Sequence, residues 1–161
     1  MKNIIFFCAT ILALAAVPFL IIKKEATLSE GRTILLRLAP VDPRSLIQGD
    51  YMTLRYAMAS EISGSELDNK GCIVVMLDKN NVARFVRVHK KEKLQDGEIL
   101  LSYRKRGNLR LGAESFMFQE GDAGIYSHAK YGELKVDTEG SSVLVGLCGE
   151  DFRHIGKGKS R

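Results

Sequence analysis

Between Ile4 and Ile22 the chain has no charged residue and no polar helical face, whereas beyond that run its apolar positions recur mostly every second residue. The first pattern predicts a single N-terminal transmembrane helix. At about 1.5 Å per residue it spans roughly 28 Å, enough to cross a bilayer core through residues 4–22. Pro18 lies late in the run, where a membrane helix tolerates a kink. A second reading is a cleaved export signal, with Lys2 before the apolar stretch and Ala13-Leu14-Ala15 as a small-residue site whose use would remove residues 1–15. The apolar run from Val17 to Ile22 continues past that site, which a retained anchor requires and a signal does not.

The period-two region predicts strands over Thr33–Leu38, Tyr51–Met58, Cys72–Leu77, Val82–Val88, Glu98–Arg104, Ser115–Gln119, Glu133–Val136 and Ser142–Leu147. Turn residues separate them, among them Gly31, Asp68-Asn69-Lys70-Gly71, Asp96-Gly97, Gly107-Asn108 and Glu139-Gly140. Asp78-Lys79-Asn80-Asn81 between two apolar runs is the best hairpin candidate, because Asn accepts left-handed backbone at low cost. The expected fold is mainly β, a small antiparallel barrel or sandwich. One short helix is expected from Ala123 to Lys130, capped by Asp122 and ended by Gly132, with Ile125 and Ala129 on one face and Tyr126 beside them. It reads as a turn covering one end of the sheets, or as a ligand lid with Tyr126 and Tyr131 as contacts. The domain reading is an anchor over 1–24, a β domain over 25–155 and a basic tail over 156–161.

Charge refines this picture. The formal net charge is +5, but three of the 24 basic residues and none of the 19 acidic ones precede Glu25, so only +2 remains from Glu25 onward. Lys2 flanks the apolar run on one side and Lys23 and Lys24 on the other, so the positive-inside tendency does not set orientation. A short N-terminus before the first apolar run resembles an export signal, which places the domain outside the cytoplasm. Two basic clusters, Arg84, Arg87, His89, Lys90, Lys91, Lys93 and Arg104, Lys105, Arg106, Arg110, read equally as solvated strand ends and as contacts for anionic lipid. An exported domain does not meet nucleic acid. Cys72 and Cys148 are the thiols of the domain, and spacing leaves open whether they pair. His89, His128 and His154 have no partner at ligand spacing, so neither a metal site nor a cofactor is expected.

The most distinctive string is Leu46-Ile47-Gln48-Gly49-Asp50-Tyr51-Met52-Thr53-Leu54-Arg55-Tyr56. Gly49 permits a backbone that a β-carbon opposes, Asp50 can accept turn N–H groups, and a strand starts at Tyr51. Alternation then sends Met52, Leu54 and Tyr56 to one face and Tyr51, Thr53 and Arg55 to the other. Leu54 and Tyr56 read as core. Asp50, Tyr51 and Arg55 form either a structural turn or a polar recognition patch.

This string contains Gly-Asp-Tyr-x-x-Leu-x-Tyr in full, and the chain resembles the GDYXXLXY family of bacterial membrane-anchored proteins. Further likeness lies in Ser115-Phe116-Met117-Phe118-Gln119-Glu120-Gly121, Tyr126, Ala129-Lys130-Tyr131-Gly132 and Val143-Leu144-Val145-Gly146-Leu147. The resemblance runs from about Thr33 to Leu147 and includes the preceding anchor. The family is of uncharacterised function, and its members are often encoded beside multi-spanning membrane proteins. The resemblance thus implies a membrane-protein partner and supplies no catalytic residue.

A weaker likeness is to the nucleophile region of signal peptidases, in Ser45-Leu46-Ile47-Gln48-Gly49-Asp50 after an anchor. The nucleophilic serine of that family aligns with Val41, and its lysine base falls in Ala83-Arg84-Phe85-Val86-Arg87-Val88, where arginine stays protonated. Ser45 is left as a displaced nucleophile or, more simply, a loop hydroxyl. No Gly-x-Ser-x-Gly, zinc-protease helix or Gly-x-Gly-x-x-Gly occurs. The expected function is therefore a non-enzymatic, single-pass accessory of a membrane complex. The alternatives are a serine hydrolase on a peptidase-like scaffold and a cleaved, secreted binding domain.

Overall fold

Apolar side chains at every second position decide which face of each strand is covered, and the sheets assemble from that choice. The computed structural model describes residues 10, 14, 18, 21–39, 47–48, 51–62, 67–112, 114–119 and 121–156. Strands β1 (Arg32–Arg37), β9 (Tyr131–Val136) and β10 (Ser142–Cys148) form an antiparallel sheet with β9 in the centre. Ile34 and Leu36 lie opposite Leu134 and Gly132, and Leu144 and Leu147 face the same two positions from β10. Tyr131, Glu133 and Lys135 therefore share the opposite face. The β10 register shifts between Leu144 and Gly146, so Val145 is an extra residue there.

A four-stranded sheet runs in the order β5 (Ala83–Val88), β4 (Lys70–Leu77), β6 (Glu98–Arg106) and β7 (Asn108–Arg110). A small third sheet joins β2 (Ile47–Gln48), β3 (Tyr51–Thr53) and β8 (Ser115–Met117). One core draws on all three sheets through residues such as Ile34, Met52, Ile73, Leu101, Leu109 and Leu134. The fold is mainly β and antiparallel; of the expected barrel or sandwich, no closed barrel is formed among the described residues, whose strands divide among three separate sheets. The predicted hairpin at 78–81 is present. Asp78 Oδ1 accepts the N–H groups of Asn80 at 2.8 Å and Val82 at 3.0 Å, and Asn81 has φ +60°. These bonds also hold the Asp78 carboxyl below the usual range, the Asn80 N–H contributing most.

Two expectations are corrected by local geometry. The strand predicted over Tyr51–Met58 leaves its ladder after Thr53, and Ala57–Ile62 instead form a helix, α2. Met58 and Ile62 are four residues apart and bury together on one helical face, while Met58 also fits the even-numbered alternation from Met52, so the pattern alone hides the switch. The helix predicted over Ala123–Lys130 covers only Ala123–Tyr126, labelled α3, and Asp122 makes no side-chain cap bond. It stops early because Lys130 is already claimed by the sheet, its N–H donating to Cys148 and its carbonyl accepting from Leu38. Gly132 lies inside β9 rather than ending the helix. Asn108, read as part of a turn, begins β7 directly after Gly107 at φ +72°.

The N-terminal helix α1 covers 21–30, with Thr10, Leu14 and Pro18 also helical. Gly31 follows α1 and donates its N–H to Thr27 O at 3.0 Å; a β-carbon on Gly31 would stand 2.2 Å from that oxygen. The end of α1 docks on the β9–β10 turn. Buried Thr27 hydrogen-bonds Asp137 Oδ2 at 3.1 Å, Lys23 pairs with Glu139 at 2.7 Å, and Lys24 Nζ donates to Ser141 Oγ and Ser142 O. Most of the predicted span, residues 4–22, lies outside the described residues, as do 157–161 of the predicted tail. Among the described residues no helix is long and apolar enough to cross a membrane.

Candidate functional site

The hairpin strands β2 and β3 pair Ile47 with Met52 and Gln48 with Tyr51, and β8 flanks β3 on its other edge. Gly49 and Asp50, the turn residues singled out in the sequence, lie outside the described residues, as do Val41 and Ser45. Past the turn, Met52, Leu54 and Tyr56 are each about 2% exposed, whereas Tyr51, Thr53 and Arg55 face outward. The alternation continues beyond the end of β3 because the backbone stays extended. There Ala39 N–H donates to Arg55 O at 2.7 Å, and Leu38 bridges Tyr56.

Tyr56 explains a glycine in another strand. A β-carbon at Gly132 would meet Tyr56 Cε1 at 3.2 Å and its hydroxyl oxygen at 3.3 Å, so β9 leaves room there for the ring. Burial raises the pKa of the Tyr56 phenol far above its ordinary value, and the negative charge of Glu114 adds to the rise. The phenol is therefore neutral at any physiological pH.

Arg55 and Leu54 open onto a cleft of about 390 Å³ that Tyr126 and Tyr131 also line, together with Arg37 and Glu150. The structure thus joins the motif to the two tyrosines proposed as contacts. Neither ring is loose. Tyr126 meets Phe116 edge-on at 5.0 Å and Phe118 at 5.5 Å, and Gly156 passes so close that a β-carbon there would lie 2.4 Å from the Tyr126 oxygen. Tyr131 packs on Phe152 at 5.1 Å. The cleft combines fixed aromatic rings with two guanidinium groups, a lining suited to binding.

The basic clusters resolve into different environments. Arg87 grips Glu98 with both terminal nitrogens, Nη2 to Oε2 at 2.9 Å, and reaches Glu92 at 3.3 Å; Gln95 N–H donates to the same Glu98 oxygen. Arg87 and then the Gln95 N–H hold the Glu98 carboxyl below its usual range despite its burial. Arg87 is a strut for the loop before β6, and it cannot serve as a base. The other cluster lies on β6 and β7. Lys70 lies opposite Arg104, and Arg104 opposite Arg110, so three exposed cations form one row across β4, β6 and β7. None of the three has an ion-pair partner among the described residues. Like charges directly opposite one another destabilise a sheet. They line a cleft of about 790 Å³ that Lys24 from α1 completes, with Glu114 at its edge accepting Gly112 N–H at 2.9 Å.

A third grouping escaped the sequence reading. His154 Nε2 lies 2.6 Å from Glu133 Oε2, and the Cys148 thiol reaches the same oxygen at 3.6 Å. Cys148 is fully buried and unpaired, and Cys72 is likewise free. Burial, and then Glu133, push the Cys148 thiol up to about 12. The available signal was Cys148 six residues before His154 across Gly149-Glu150-Asp151, a turn that folds the chain back on β10. Glu133 comes from the neighbouring strand β9, 15 residues before Cys148, and its approach depends on the β9–β10 register, which spacing does not reveal.

The family model for GDYXXLXY proteins matches residues 13–147. The chain belongs to that family. No curated protein and no solved structure matches this GDYXXLXY protein.

Proposed function

We propose that this GDYXXLXY protein is a non-catalytic, single-pass accessory protein of the cell membrane. Residues 4–22 hold it in lipid, residues 25–155 lie on the extracytoplasmic side, and it acts with a multi-spanning membrane protein. The observation that carries this reading is the unpaired row of Lys70, Arg104 and Arg110, completed by Lys24 on the helix that leads out of the apolar run. A concave cationic surface beside an apolar helix suits anionic headgroups of the bilayer that holds the helix. The described apolar residues of that helix agree with it. Leu14, Ile21 and Ile22 are 69%, 57% and 65% exposed, which costs free energy in water and none in lipid.

The partner surface in this reading is the outward motif face. Tyr51 is opposite Met117, and both are exposed, so β3 and β8 present a ring and a thioether beside Thr53 and the Arg55 cleft. The gene neighbourhood of the family supports a multi-spanning protein as the occupant. A photo-crosslinker replacing Thr53, activated in native membranes and followed by mass spectrometry, is expected to capture one multi-spanning protein reproducibly. Recovery of a freely soluble chain lacking residues 1–15, or no such adduct, overturns the proposal. Reporter fusions after Arg161 that were active only in the cytoplasm overturn the assigned side.

A further inference from the structure

On the outer face of the β1–β9–β10 sheet, three side chains with different donor atoms converge. Glu133 of β9, Cys148 of β10 and His154 of the returning segment each offer one ligand atom, and these atoms all lie within 4.8 Å of one another. From this convergence we infer that Glu133, Cys148 and His154 form a binding site for a borderline-soft divalent cation, with zinc as the best fit.

The donor set decides the metal class. One thiol sulfur, one imidazole nitrogen and one carboxylate oxygen suit zinc, while calcium and magnesium take oxygen ligands almost exclusively. Tetrahedral zinc, with bonds of about 2.0–2.3 Å, keeps its donors about 3.3–3.7 Å apart. The Cys148–Glu133 separation of 3.6 Å already matches, and the 2.6 Å His154–Glu133 separation must open by less than about 1 Å to admit the ion. His154 has the freedom for that movement, with a side chain 56% exposed, while Glu133 is 17% exposed and Cys148 is fully buried. The fourth position of a tetrahedral ion is left to water or an external donor.

The backbone prepares the arrangement. A β-carbon at Gly146 would lie 2.6 Å from His154 Nδ1, so the absence of a side chain lets the imidazole rest on β10 with Nε2 turned to Glu133. The segment is held there by Gly149 N–H to Arg153 O at 3.0 Å and Ile155 N–H to Leu147 O at 2.8 Å, with Phe152 in left-handed backbone at φ +61°. As sulfur binds the cation, the thiol proton leaves to solvent and no electron is transferred. The bound ion then fastens residues 149–155 to the sheet next to the Tyr131 side of the motif cleft.

The test uses the full chain in detergent, metal-free at the start. Zinc competed against a chromogenic chelator is expected to bind once per chain, and His154→Ala is expected to weaken it by at least about tenfold. His128→Ala, which alters an exposed histidine elsewhere, is expected to leave the affinity unchanged. Cobalt in the same site is expected to show sulfur-to-metal charge-transfer absorption that Cys148→Ser removes. Should Cys148→Ser fail to fold, the loss of the zinc-induced rise in thermal midpoint in His154→Ala gives the same answer. Equal zinc affinity in wild type and His154→Ala, or a cobalt complex without the sulfur band, overturns the inference and leaves a His–Glu contact over a buried cysteine.

Discussion

Leu54→Ala and Arg55→Ala alter adjacent motif positions and are expected to separate its two faces. Leu54 is about 2% exposed and sits in the core shared by all three sheets. Truncation to Ala removes three carbons, which at about 0.8 kcal/mol each amounts to roughly 2.4 kcal/mol of lost transfer free energy. The cavity left behind adds to this, so a total of about 3 to 5 kcal/mol is expected. Arg55 faces outward, has no ion pair among the described residues, and its replacement is expected to stay within about 0.5 kcal/mol. The chain has no Trp, so far-UV circular dichroism through urea unfolding in detergent is the suitable readout. For a chain of this size the Leu54 change corresponds to a fall in thermal midpoint of roughly 6 to 20 °C. Crosslinking to the membrane partner is expected to show the reverse order, reduced by Arg55→Ala in a folded chain. A Leu54→Ala cost below about 1 kcal/mol, or an equal cost at Arg55, refutes the two-faced reading of the motif.

Three further outcomes are expected. Gly31→Ala forces a β-carbon against the Thr27 carbonyl oxygen, so unfolding studies are expected to show a loss of at least about 1 kcal/mol; an unchanged midpoint contradicts the tight docking of α1. The Glu98 carboxyl is lowered in the folded chain, so its stabilising effect is present above the unfolded value of about 4.3 and disappears as pH falls through the lower folded value. Thermal midpoints from about pH 7 to about pH 3 are expected to show Glu98→Gln less stable at the upper end, with the gap closing in acid; a constant gap rejects the Arg87 grip as its cause. Short-chain phosphatidylglycerol is expected to raise the thermal midpoint in detergent more than phosphatidylcholine does, and Arg110→Glu is expected to remove most of that difference. No preference for the anionic lipid rejects the headgroup assignment of the cationic row.

Much of the strand order along the chain was written in local pattern. Period-two alternation located most of the strands, and the Asp78–Asn81 turn carried its own chemistry, because side-chain to backbone bonds of this kind close within a few residues. The inward and outward sides of the motif were legible for the same reason, since one extended strand fixes them without reference to its neighbours. Tertiary structure alone decided four other matters. It divided the strands among separate sheets instead of closing a barrel, and it turned residues after Tyr56 into α2, where Met58 satisfied helical and strand spacing alike. It also brought Glu133, Cys148 and His154 to a common point and set Lys24 beside Lys70, Arg104 and Arg110. Those groupings depend on which strands become neighbours and in what register. Such pairing is settled by long-range packing, so residues distant along the chain meet without leaving a periodic trace in it.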